Sequence, residues 1–194
     1  METMASRARS VLFEPRTTFR EVESEFTKPG AIWGKYILPL AAIGPIAGAI
    51  GRLVFGQRIA LTTLTSSVSI SDAITWAIIS YLLALAAVFV LTQVISLLAP
   101  GFGGQKNDVQ ALKVAAYAST PVWLAGVFSL IPALSFLGIL GLYGLYLLWL
   151  GLPVLMKTPP EKSIWYTITI VVVAIVVTIV ILAVLAVIGL RSFR

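Results

Sequence analysis

The stretch from Ile164 to Leu190, IWYTITIVVVAIVVTIVILAVLAVIGL, contains no charged side chain. It is longer than the roughly 20 apolar residues needed to cross the hydrocarbon core of a bilayer. In water its β-branched residues would favour a strand. A lone strand in lipid leaves its backbone groups unbonded, so the segment reads as a membrane helix. Four further runs have the same character: Ala31–Phe55, Ala73–Ala99, Leu112–Ile131 and, after Pro132, Ala133–Met156. Hydrophobic residues make up 59% of the 194, against roughly 45–50% in soluble domains. A water-soluble fold of this size would expose much of that surface. The expected architecture is an all-α integral membrane protein: a cytoplasmic segment, residues 1–30, and a five-span membrane domain, residues 31–194.

The N-terminal segment lacks the apolar core of a secretory signal, since Val11, Leu12 and Phe13 are followed at once by Glu14. Glu14-Pro15 opens an amphipathic helix, with proline at a position that tolerates a missing N–H. Leu12, Phe19, Val22 and Phe26 form its apolar stripe, interleaved with Arg16, Arg20, Glu21, Glu23 and Glu25. Phe19, Val22 and Phe26 would dip into lipid if the helix lies on the membrane. The other reading packs it on the loops of the bundle.

Basic residues set the expected orientation. The N-terminal side would hold Arg7, Arg9, Arg16, Arg20, Lys28, Lys35, Lys106, Lys113, Lys157 and Lys162, the other side only Arg52, Arg58, Arg191 and Arg194. The N-terminus is therefore expected in the cytoplasm and the C-terminus outside. The net charge of +6 then needs no nucleic acid to account for it. Trp33, Tyr36, Trp76, Trp165 and Tyr166 lie near span ends, where aromatic anchors sit.

Helices in lipid approach closely through small residues. Gly44, Gly48 and Gly51 in span one and Gly138, Gly141 and Gly144 in span four mark these two spans for the interior, whether within one molecule or at a contact between copies. Span five is expected to face lipid. Pro39, Pro45, Pro121 and Pro153 bend their helices. Ser119 and Thr120 are placed to bond carbonyls that Pro121 frees.

Chemistry is sparse. The chain has no histidine and no cysteine, which excludes Cys/His zinc sites, thiol nucleophiles and histidine acid–base catalysis. No span carries an ionisable residue at its middle, which argues against a proton relay. The loop Pro100–Asp108 has Gln105 where a phosphate-binding loop needs glycine and Asn107 where it needs Ser or Thr, so it reads as a flexible connector, with Asp108 capping span three. No enzymatic activity, cofactor or metal is expected.

Ala116-Tyr117-Ala118-Ser119-Thr120-Pro121 leading to Ile131-Pro132, Leu142-Tyr143-Gly144-Leu145-Tyr146 running to Leu150-Gly151-Leu152-Pro153, and Phe13-Glu14-Pro15 followed by Phe19 together resemble the YIP family of Ypt/Rab-interacting membrane proteins, in its small bacterial branch. In eukaryotes that resemblance implies membrane traffic, GTPase binding and membrane shaping. Those members carry a long cytosolic N-terminal region where this chain has residues 1–30, so GTPase binding is not expected of this chain. Short loops without a targeting or lipidation motif point to a bacterial inner membrane. Two functions follow as expectations: a non-enzymatic organiser of membrane lipid or partner proteins, or a permease or lipid-moving protein not coupled to protons. The second would have its site between spans three and four, at Tyr117, Ser119, Pro121 and Tyr146. Membrane lipids, a protein at the cytoplasmic face and a second copy of the chain are the expected partners.

Overall fold

The computed structural model describes residues 3–58 and 65–192. Two short helices, α1 (Met4–Phe13) and α2 (Pro15–Ser24), form a hairpin bent at Glu14. Five helical segments long and apolar enough to cross a membrane follow: Pro29–Phe55, Ile70–Phe102, Asp108–Leu130, Pro132–Leu155, and a fifth that begins at Pro160 and stays helical to Ser192. Spans one and two are joined through a two-residue antiparallel bridge, Gln57–Arg58 with Thr65–Ser66.

Polar caps extend the starts of two spans beyond the apolar runs. Ser69 accepts from Asp72 N and donates to the Asp72 carboxylate at 2.6 Å, so span two starts at Ile70. The cap of span three is Asn107, which accepts from Val109 N and Gln110 N, and not Asp108. Asp108 instead takes a hydrogen bond from Ser96 of span two. Where Asp108 lies inside the first turn, its neighbour is the residue with the extended backbone a cap needs.

Proline shapes the spans. Ahead of Pro39 the backbone widens to a π-helical turn over Trp33–Ile37, and a turn at Ala42 interrupts the helix ahead of Pro45. Span three tightens to a 3-10 helix over Gly126–Leu130, and the first half of span four, Pro132–Leu142, is wholly 3-10. Ser119 and Thr120 bond the carbonyls of Ala115 and Ala116, at 2.8 and 3.2 Å, four residues before each. The carbonyl that Pro121 frees belongs to Tyr117, so these hydroxyls serve a different turn.

Span three is the centre of the bundle. In its most apolar window 67% of residues are buried, against 22–33% in the other four. Two glycines of each stripe face it. Gly44 meets Gly126, while Gly51 lies against the carbonyls of Ser129 and Leu130 and Gly48 against the Trp76 ring of span two. From span four, Gly144 sits on the Ala118 carbonyl, Gly141 touches Val122, and Gly138 faces open space. Spans one and four therefore flank the interior. It is built on Ala111, Ala115, Ala116 and Ala118, whose small side chains admit helices from all sides. Span five leaves Ile168, Val172, Ile175, Val176 and Ile179 exposed, as a lipid-facing helix does.

The aromatic residues near span ends divide. Trp165 is 65% exposed, but Tyr36 and Tyr166 are buried, the first bonded to Thr120 and the second to the Ile95 carbonyl. Trp76 carries the Arg52 guanidinium over its ring at 4.0 Å. The Pro100–Asp108 connector is held in place: Gly103 adopts a left-handed φ of 77°, Gly104 N donates to Ala99 O, and Gln105 N donates to Met156 O of the loop between spans four and five.

Candidate functional site

Two features of the bundle present surfaces able to hold a ligand. The first is a groove between spans three, four and five. Spans three and four touch most closely where Gly144 meets Ala118, then separate towards Gly138. The space left there, about 540 Å³, is walled by Val122, Gly138, Gly141, Leu145, Ile170 and Ile175. That volume lies within the range of small-molecule sites.

The groove offers almost nothing polar. Its two hydroxyls are Ser119 and Thr178. Each already donates to the carbonyl four residues earlier, Ser119 to Ala115 and Thr178 to Ala174, both at 2.8 Å. With those donors engaged, a polar solute would lose its water and gain little in return. A hydrocarbon chain meets no such penalty.

The residues expected to share one interior site do not meet. Ser119 lines the groove. Tyr117, two positions earlier and so on the opposite side of the helix, packs edge-on against Tyr36 and Phe19, at ring separations of 5.2 and 6.2 Å. Pro121 is buried outside the groove. Tyr146 is 38% exposed and forms an aromatic ladder with Tyr143 and Trp149 on the outer face of span four.

The second feature is the N-terminal hairpin and its seat. Phe19 and Val22 are buried in the cluster that also contains Leu147, Leu152 and Val114, whereas Phe26 is 94% exposed. The stripe is thus split between bundle and solvent. Phe19 lies on Gly151, where a Cβ would come within 2.9 Å of its ring, so glycine is what admits the aromatic side chain there. At the end of α2, the Lys113 ammonium of span three donates to Val22 O at 2.5 Å and to Glu25 O at 2.7 Å. Lys113 is 1% exposed. A cation on the last carbonyls of a helix satisfies orphan acceptors and opposes the dipole. Around it Gln110 donates to Glu23 O, Lys157 pairs with Glu23, and Arg7 pairs with Glu25 at 3.1 Å. This clasp is invisible in the linear pattern, where Lys113 reads as a residue near a span end with its chain turned to water.

The model of the Yip1 domain family matches residues 9–189, which take in most of the hairpin and all five spans. No curated protein and no solved structure matches the chain.

Proposed function

The chain belongs to the Yip1 domain family, and on that premise we propose that this multi-pass membrane protein is a non-enzymatic organiser of membrane lipid, with the groove between spans three, four and five as the seat of an acyl chain. The observation that carries this reading is the groove itself: about 540 Å³, walled by glycine and aliphatic side chains, its two hydroxyls spent on their own helices. The same observation disfavours transport of a polar solute, which needs donors and acceptors along its path.

The end of the bundle that carries the hairpin also carries most of the basic side chains, and under the positive-inside rule this is the cytoplasmic end, in a bacterial inner membrane. A protein partner would meet the bundle here, where the connectors and hairpin are tied together.

The test is extraction into native nanodiscs followed by mass spectrometry of the retained lipid, comparing the natural chain with Gly138→Trp. Gly138 lines the groove and a Cβ there meets no atom within 4 Å, so the variant's side chain starts into open space on the groove wall. The natural chain is expected to retain a lipid that the variant loses. Equal retention by both contradicts the reading. Passage of lipid between leaflets in proteoliposomes, abolished by the same substitution, would turn the assignment from organiser to lipid-moving protein.

A further inference from the structure

The hairpin does not rest on top of the bundle. Three contacts fix its course along span four: Tyr143 OH donates to Leu12 O, Phe19 lies on Gly151, and Glu23 pairs with Lys157. Both sequences ascend together, so α2 runs beside span four in the same direction, and the elbow at Phe13-Glu14-Pro15 lies level with Tyr143. Helix α2 has 10 residues, so the elbow is about 15 Å inward from the end of the bundle.

Span four comprises 11 residues of 3-10 helix and 13 of α-helix, about 40 Å in all. The hydrocarbon core is about 30 Å thick, which leaves about 10 Å to project. If all of that projects at the hairpin end, the elbow is still about 5 Å inside the core; if it is shared between both ends, about 10 Å. Trp149, exposed on span four, is six residues nearer the end than Tyr143, so an indole at headgroup level also puts the elbow about 9 Å deeper.

At the elbow a hollow of about 330 Å³ is lined by Arg9, Ser10, Phe13 and Glu14; Arg9, four residues back along α1, is about 6 Å nearer the end of the bundle than Phe13, and Arg16 is the second residue of α2. Phe13 is 78% exposed, and Arg9, Glu14 and Arg16 are exposed as well. Among the described residues Arg9 and Arg16 have no ion-pair partner. Guanidinium groups at this depth reach upward for phosphate, and phosphate is drawn down to them. With Glu14 counted, the three charges leave one net positive, the complement of one phosphodiester.

We propose that this elbow is a binding site for the phosphate of an anionic phospholipid, held by Arg9 and Arg16 below the general headgroup plane, with Phe13 among the acyl chains. The exposed ring and the depth commit the site to a lipid and not to free phosphate. The inference shares a ligand class with the groove but none of its residues, so either can fail alone.

The chain has no cysteine, which makes single-site labelling direct. A nitroxide at Phe13→Cys in nanodiscs is expected to relax more with oxygen than with an aqueous nickel chelate, and one at Ser24→Cys the reverse. Native mass spectrometry in nanodiscs mixing phosphatidylglycerol with phosphatidylcholine is expected to show phosphatidylglycerol retained by the natural chain. Removing two basic side chains, each worth a factor of about five near an anionic surface, should cut that retention about 25-fold in the Arg9→Gln, Arg16→Gln double variant. The loss is read as selectivity for phosphatidylglycerol over phosphatidylcholine, which separates it from any acyl chain held in the groove, and inorganic phosphate should not displace the lipid. A water-accessible label at position 13, retention unaltered in the double variant, or displacement by inorganic phosphate would each overturn the proposal.

Discussion

Replacing Lys113 with methionine should release the hairpin while leaving the five spans assembled. Methionine keeps most of the apolar stem and removes the ammonium, so two carbonyls, Val22 O and Glu25 O, lose their charged donor inside a site where Lys113 is 1% exposed. A hydrogen bond to a charged group contributes about 1.5–3 kcal/mol, and the helix C-terminus adds about 0.3–1 kcal/mol for a nearby cation. The two bonds share one ammonium and the freed carbonyls regain some water, so the net loss is placed at about 3 kcal/mol. That corresponds to about a hundredfold rise in the population of undocked hairpin. Hydrogen exchange across α2 and thiol labelling at Thr18→Cys, a position 2% exposed in the docked state, both read that population. Lys157→Met, which removes the more exposed pair with Glu23, should change either by under about 1 kcal/mol. An α2 as protected in Lys113→Met as in the natural chain, or spans that lose protection to the same extent as the hairpin, would show that Lys113 does not hold the hairpin in place.

Two further substitutions probe the packing. A methyl group at Gly144 would collide with the Ala118 carbonyl, so Gly144→Ala should cost about 1–3 kcal/mol by forcing spans three and four apart. Gly138→Ala meets no atom within 4 Å and should stay within about 0.5 kcal/mol; paired thermal unfolding in detergent distinguishes them. Tyr36→Phe removes the 2.8 Å bond to Thr120, and the midpoint should fall by about 2–4 °C, the shift expected for about 1 kcal/mol in a chain of this size.

The spans were legible because lipid imposes a length and forbids open backbone, and both constraints are written in runs such as Ile164–Leu190. Their order from centre to rim was not. Hydropathy ranks spans two and five highest at 2.5 and span three lowest at 1.2, yet span three is the buried one. In a bilayer the strongest apolar runs face the solvent, and the interior selects small side chains, here Ala111, Ala115, Ala116 and Ala118. Alanine spacing in span three was the signal for its central position; the glycine stripes identified its neighbours.

The hairpin was hidden for a related reason. Arg9, Arg16 and Arg20 beside Glu14 and Glu21 read as a solvated face, and nothing in their spacing reports depth. Depth comes from long-range contacts such as Leu12 with Tyr143. The interior residues suffered from helical geometry: Tyr117 and Ser119 are two positions apart and so face opposite sides of the helix, one serving the hairpin and the other the groove. The groove is made mostly of glycine and aliphatic side chains, and a site without polar chemistry leaves no motif to find.

Occupancy of the groove by an acyl chain is read most directly by photolabelling in nanodiscs with a phospholipid that carries a diazirine midway along one acyl chain. Adducts are expected to concentrate at Val122, Leu145 and Ile170, to fall with unlabelled lipid and to vanish in Gly138→Trp. Adducts spread equally over these positions and the exposed Ile46, Ile50 and Val54 of span one would show that the groove is ordinary lipid-facing surface, and would contradict it.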